Sequence, residues 1–252
     1  VSVGEVLAIA LAGLVAGTIN TVVGSGTLVT FPVLLAFGYA PVTANVSNTV
    51  GLVPGSLAGA IGYRRELAGQ RGHMVRLGAA SVLGGITGAL LLLTLPASAF
   101  QTIVPVFIAI ALALVILQPR LSRLLARHAI DPQQRRGGVL TTLALYATGV
   151  YGGYFGAAQG ILLLAILGLA LTQDLHRTNA LKNVLAGLVN GVAGVVFVVA
   201  AHIEWAPAAI IACSSILGAQ LGARYGRRLP PAALRGLIVV VGVTAIVRLV
   251  VT

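Results

Sequence analysis

The chain has 252 residues, of which 58% are hydrophobic and 8% charged, with a mean hydropathy of +1.02. A soluble domain carries about 25% charged residues, so the composition excludes one and places the chain in lipid. The net charge of +11 would suggest nucleic acid for a soluble protein. Here the cations fall in short loops, where they set orientation and meet anionic head groups, so membrane lipid is an expected partner and nucleic acid is not. Cys213 is the only cysteine, which excludes an intramolecular disulfide, a thiolate metal cluster and a CxxC redox pair.

In chain order, the first apolar run covers residues 5–23; it is long for a cleaved signal peptide and is read as a retained membrane segment. A short run at 27–37 and three ordinary spans at 44–63, 77–95 and 101–118 follow. A basic stretch, 119–138, contains RLSRLLARH from Arg120 to His128, which alternates cations and leucines as an interfacial helix does. The pattern then returns as 139–155, a short run at 161–171, and spans at 179–201, 205–223 and 236–251. This predicts an all-α polytopic protein with two membrane units, 1–118 and 139–252, joined by a cytoplasmic connector at 119–138.

The two units match residue by residue. Gly17, Asn20 and Gly24 fall on Gly149, Gly152 and Gly156 at an offset of 132, and Asn45, Asn48, Thr49 and Ser56 fall on Asn179, Lys182, Asn183 and Asn190 at an offset of 134. One duplication accounts for this. Basic residues in short loops stay on the cytoplasmic side, which puts Arg64, Arg65, Arg71 and Arg76 inside, with Arg120, Arg123, Arg127, Arg135 and Arg136, and with Arg224, Arg227, Arg228 and Arg235. The turns at 96–100 and 202–205 fall outside. Each long first segment and its short partner must then form a hairpin, giving units of one broken-helix hairpin plus three spans in inverted orientation.

Two constellations are candidates for chemistry. The hairpin turns carry Asn20, Gly24, Ser25, Gly26 and Thr27 in the first unit and Gln159 and Gly160 in the second. A helix that stops inside the membrane exposes amides along a favourable dipole, which suits an anion. Gly13, Gly17 and Gly149 read instead as close-packing positions. A polar stripe follows each hairpin: Asn45, Asn48, Thr49 and Ser56 share one helical face, and Asn179, Lys182, Asn183 and Asn190 repeat the spacing. Such intramembrane polar residues suggest a pathway.

Glu5, Glu66, Asp131, Asp174 and Glu204, the only acids, fall at the ends of apolar runs or between them, and all four histidines lie in or next to loops. The hydrocarbon core thus offers no carboxylate to a cation, and the expected cargo is a small anion. Expelling an anion from a negative interior gains about 2.3 kcal/mol per charge per 100 mV, so efflux needs no coupling ion. No catalytic, metal-binding or cofactor-binding constellation stands at membrane depth. Competing readings are uptake of an oxyanion or carboxylate, and a non-transporting scaffold. Small-residue faces suggest a homodimer.

The run GTINTVVGSGTLVTFPVLLAFGYAPVTANVSNTVGLVPGSLAG from Gly17 to Gly59, with GGYFGAAQGILL, TNALKNVLAGLVNGVAG and GAQLGARYGRRLP in the second unit, resembles the TauE/SafE sulfite exporter family. The resemblance implies a bacterial inner-membrane transporter that exports sulfite or an organosulfonate such as sulfoacetate. The first hairpin reads GSGT where many members carry a GGG-like run; Ser25, Thr27 and Gln159 add side-chain donors there.

Overall fold

The computed structural model of the chain describes residues 1–128, 138–171, 173–225 and 231–251. Asp131, Arg135, Arg136, Arg227 and Arg228, used above to place acids or orient loops, lie outside the described residues. Among the described residues ten helices run: α1 (Val3–Val22), α2 (Thr27–Ala36), α3 (Pro41–Gly62), α4 (Arg71–Thr94), α5 (Ala97–His128), α6 (Val139–Tyr154), α7 (Gln159–Ala170), α8 (Leu175–Ala200), α9 (Trp205–Tyr225) and α10 (Pro231–Val251). The chain is all-α, as expected, and its helices follow the apolar runs. One boundary differs. The stretch from Arg120 to His128 is the last part of α5 and not a separate helix, because the leucines and arginines flanking Pro119 are strong helix formers that carry the helix past one missing amide.

Among the described residues, five helices are long and apolar enough to cross a membrane: α1, α4, the Ala97–Arg120 part of α5, α8 and α9. At 1.5 Å per residue the 20 residues of α1 span about 30 Å, whereas the 10 of α2 and the 12 of α7 span about 15 and 18 Å, half a bilayer. The 22-residue α3 is long enough but less apolar, since Asn45, Ser47, Asn48 and Thr49 lie on it, all buried inside the bundle. Two acids have local roles at helix starts. Glu5 completes a capping box with Ser2 on α1, and Asp174 accepts the amides of His176 and Arg177 on α8.

Both hairpins turn by the same backbone device. The amides of Val23 and Gly24 close on the Ile19 carbonyl at 2.7 and 2.9 Å, and those of Phe155 and Gly156 close on Tyr151 at 2.9 and 3.0 Å. Gly24 (φ +90°) and Gly156 (φ +76°) then take the left-handed conformation that ends a helix at low steric cost.

The helices pack so closely that several positions admit only glycine. A Cβ on Gly218 of α9 would lie 1.9 Å from the Leu14 carbonyl of α1, and one on Gly88 of α4 would lie 2.0 Å from the Val150 carbonyl of α6. Gly13 and Gly17 meet Ser214 and Ser215, and Gly149 meets Ser81 and Gly84, so these glycines are packing positions. The small-residue faces are thus occupied within one chain, on α1 against α9 and on α4 against α6.

These contacts also give helix directions. Gly13, Gly17 and Thr18 of α1 face Ile211, Ser215 and Gly218 of α9 in step, and Gly51, Gly55 and Gly62 of α3 face Ile211, Ser215 and Ala223. Hence α1, α3 and α9 run the same way. Ser81, Gly84 and Gly88 of α4 follow Gly149, Val150 and Tyr154 of α6 in step. Along α3, however, Ser47, Val53 and Ser56 pair with Glu204, Gly194 and Gly187, so α3 and α8 run in opposite directions. Asn190 donates its side-chain amide to the Ser56 hydroxyl at 3.1 Å, two residues 134 positions apart in the chain.

Arginines gather at one end of the bundle, where Glu66 and Asp174 also lie. Gln70 and Ala68, in the loop that carries Arg64 and Arg65, bond Arg177 at the start of α8, at the end where α9 finishes with Arg224. At the opposite end Tyr39 donates its hydroxyl to Glu5 at 2.6 Å, and the Glu204 amide donates to Ser47 at 2.9 Å. Tyr39, in the turn between α2 and α3, has its hydroxyl pKa raised to about 12, first by burial and then by the hydrogen bond and negative charge of Glu5.

Candidate functional site

The two hairpin tips touch. The Gly160 amide donates to the Gly24 carbonyl at 3.0 Å, and a Cβ on either glycine would lie 2.4 Å from the other's Cα. Beside this contact, next to the middle turns of α8, lies a narrow cavity of about 20 Å³, room for about one water. Its polar wall is formed by Asn20, Thr21, Thr27, Ser56, Gln159, Asn183 and Asn190, with Gly24, Gly156 and Gly160 at the tips.

Gln159 is a cavity-lining residue whose buried side-chain donor has no partner. It is 3% solvent-exposed, its Nε2 has no hydrogen-bond partner, and its side chain lies where a Cβ on Gly152 would be, 2.3 to 2.6 Å away. A buried amide without a partner is costly, and Ser25 Oγ and Asn48 Nδ2 are buried without partners as well. Preceding Gln159, Ala158 (φ +57°) is the one non-glycine with positive φ among the described residues, a strain of about 1–2 kcal/mol. The neighbouring turn is held by Tyr151, whose hydroxyl donates to the Ala157 carbonyl, and by Phe31, Phe100, Phe107, Tyr154 and Phe155, which pack edge to face or stacked.

Six of the twelve sequence-derived candidates line the cavity: Asn20, Gly24, Thr27, Gln159, Gly160 and Asn183. Ser25 is buried behind the tip with its hydroxyl unpartnered, and Gly26 gives its amide to Asn20 Oδ1 at 2.8 Å. The remaining four hold the broken helices. Lys182, fully buried, donates to the Asn20 and Thr21 carbonyls at 3.0 and 3.3 Å, and Asn179 and Asn183 also donate to Thr21, at 3.3 Å each. An amine and two amides thereby cap the carbonyl end of α1, where the dipole is negative. Asn45 does the same in the other unit, donating to the Tyr154 carbonyl of α6 at 3.0 Å, while Asn48 accepts from Thr30 of α2.

The amides at the tips are therefore less available than the sequence suggests, since Gly26 and Gly160 already have acceptors. Thr21, Gly156 and Ala186 also line the cavity, with Ser56 and Asn190 from the far end of each stripe. Thr21 and Gly156 sit within the hairpin motifs, and Ser56 and Asn190 recur at the repeat offset, so a signal existed for four of the five. Ala186 carries none. Among the described residues, no cluster of three or more His, Cys, Asp or Glu side chains could hold a metal.

A bundle of membrane-crossing helices, with two hairpins whose second arms are half-length meeting beside a polar cavity, is the architecture of a multi-pass membrane transporter. Residues 9–249 match the family model described as "Sulfite exporter TauE/SafE". The chain belongs to that family. Among similar proteins, "Probable membrane transporter protein ORF9" of Sinorhizobium sp is 28% identical over 95% of this chain and 90% of its own length. "Probable membrane transporter protein YfcA" of Escherichia coli (strain K12) is 26% identical over 90% of this chain and 83% of its own. A "Probable membrane transporter protein" of Haemophilus influenzae is 28% identical over 84% and 81%. No solved structure matches the chain.

Proposed function

We propose that this transporter exports a small sulfur oxyanion, sulfite or an organosulfonate, by alternating access at the cavity between the hairpin tips. The observation that carries the reading is the backbone contact of Gly24 with Gly160 beside that neutral polar cavity. An anion the size of sulfite exceeds room for one water, so the tips must part to admit it. Opposed directions of α3 and α8 and the Ser56–Asn190 bond support two inverted copies about a shared axis. In such a pair, rocking one unit against the other opens the site to one side at a time.

The arginine-rich end is the cytoplasmic face by the positive-inside rule, and the Glu5–Tyr39 end is external. Outward movement of an anion is downhill in a negative-inside membrane by about 2.3 kcal/mol per charge per 100 mV, so no proton or sodium gradient is needed. The test is flux through the purified protein in liposomes, with sulfite, sulfoacetate, sulfate and chloride at fixed voltage. Saturable sulfite flux is expected without a proton or sodium gradient. Its absence, or a strict need for either gradient, would overturn the mechanism.

A further inference from the structure

We infer that the cavity takes its cargo as a monoanion, bisulfite or a sulfonate head R–SO3⁻, and discriminates against doubly charged sulfite and sulfate. The inference rests on the anion-carrier reading above and adds the charge state of the substrate. Every polar residue on the cavity wall is neutral, and among the described residues no ionisable side chain lines it. Lys182, the amine buried beside it, has its Nζ at the Asn20 and Thr21 carbonyls, 3.0 and 3.3 Å away. There the amine is committed to carbonyl acceptors at the end of α1.

Neutral donors stabilise an ion in proportion to its charge, whereas the Born cost of removing it from water rises with the square of the charge. A second negative charge thus doubles the stabilisation and quadruples the desolvation. Extra donors could shift that balance, but the Gly26 and Gly160 amides are already bonded to Asn20 Oδ1 and the Gly24 carbonyl. The unpartnered Gln159 Nε2, buried to 3% exposure, supplies a dipole and no countercharge. A head with three oxygens sharing one charge suits this wall.

The experiment is flux through the full chain in liposomes at clamped voltage, with protein-free liposomes subtracted for sulfur dioxide leak. Methanesulfonate is expected to exceed sulfate at least about tenfold, the factor that a modest electrostatic difference produces. At fixed total sulfite, the ratio of sulfite to methanesulfonate flux should fall as pH rises through the bisulfite dissociation, because methanesulfonate stays singly charged. Sulfate flux equal to that of methanesulfonate, or a ratio that is constant or rises with pH, would overturn the inference while leaving anion transport standing. Loss of saturable flux for all these anions would remove the carrier reading and this inference with it.

Discussion

Replacing Gly160 by alanine separates the tip contact from local helix effects. The new methyl would stand 2.4 Å from Gly24 Cα, 3.0 Å from its carbonyl oxygen and 3.1 Å from its carbonyl carbon. Carbon atoms rest at about 3.5–4.0 Å, so the tips must part by about 1.1 Å or more. That takes the 3.0 Å Gly160–Gly24 bond out of hydrogen-bonding range, removing about 1 kcal/mol. Overpacking adds about 1–3 kcal/mol, so the closed arrangement loses about 2–4 kcal/mol, roughly 30- to 1,000-fold in population. Intrinsic helix propensity has the opposite sign, since alanine is favoured over glycine by at most about 1 kcal/mol, the value for a helix interior, and Gly160 is the second residue of α7. Gly24→Ala would be ambiguous because its φ of +90° strains any side chain. The assay pairs thermal unfolding of the purified protein with liposome flux: a Tm lower by roughly 4–16 °C and an altered flux are expected. A variant as stable as the parent, or more stable, with unchanged flux would refute the claim that the tip contact closes the cavity.

Lys182→Met and Gln159→Leu should behave differently. The first removes the amine bonded to the Asn20 and Thr21 carbonyls and is expected to lower Tm and flux together, by about 1–3 kcal/mol; the second should abolish saturable anion flux while changing Tm little, because its Nε2 has no internal partner to lose. Gly218→Ala brings a methyl to 1.9 Å from the Leu14 carbonyl, and should destabilise the α1–α9 contact by about 1–3 kcal/mol, measured as chemical or thermal unfolding. Tyr39→Phe tests the outer clasp by pH. With its pKa raised to about 12 from 10.0, the tyrosine stabilises the fold fully below about pH 10 and loses that contribution as pH rises towards 12, so the parent's Tm should fall more steeply than the variant's across that interval.

Much of the architecture was legible in local features. Membrane helices need long apolar runs because hydrocarbon solvates no backbone groups, so runs at 77–95 or 205–223 announce α4 and α9 without tertiary information. Gly24 and Gly156 were legible as turns because only a small residue at a left-handed φ stops a helix so abruptly. The stripe from Asn45 to Ser56 and its copy from Asn179 to Asn190 were legible as single helical faces by their spacing, and all of their residues but Ser56 and Asn190 are buried.

What each polar group does inside those faces was decided by packing. Lys182 reads as a pathway residue along the chain, yet its partners Asn20 and Thr21 lie 162 and 161 positions away, and their carbonyls are free only because α1 happens to end beside it. Gly160 likewise reads as an open amide until Gly24, from the other unit, supplies its acceptor. Hydropathy, capping and glycine turns act over a few residues, so the one-dimensional chain states them. Which donors remain free for a ligand depends on which carbonyls meet them when segments more than 100 positions apart come together, and that the bundle alone determines.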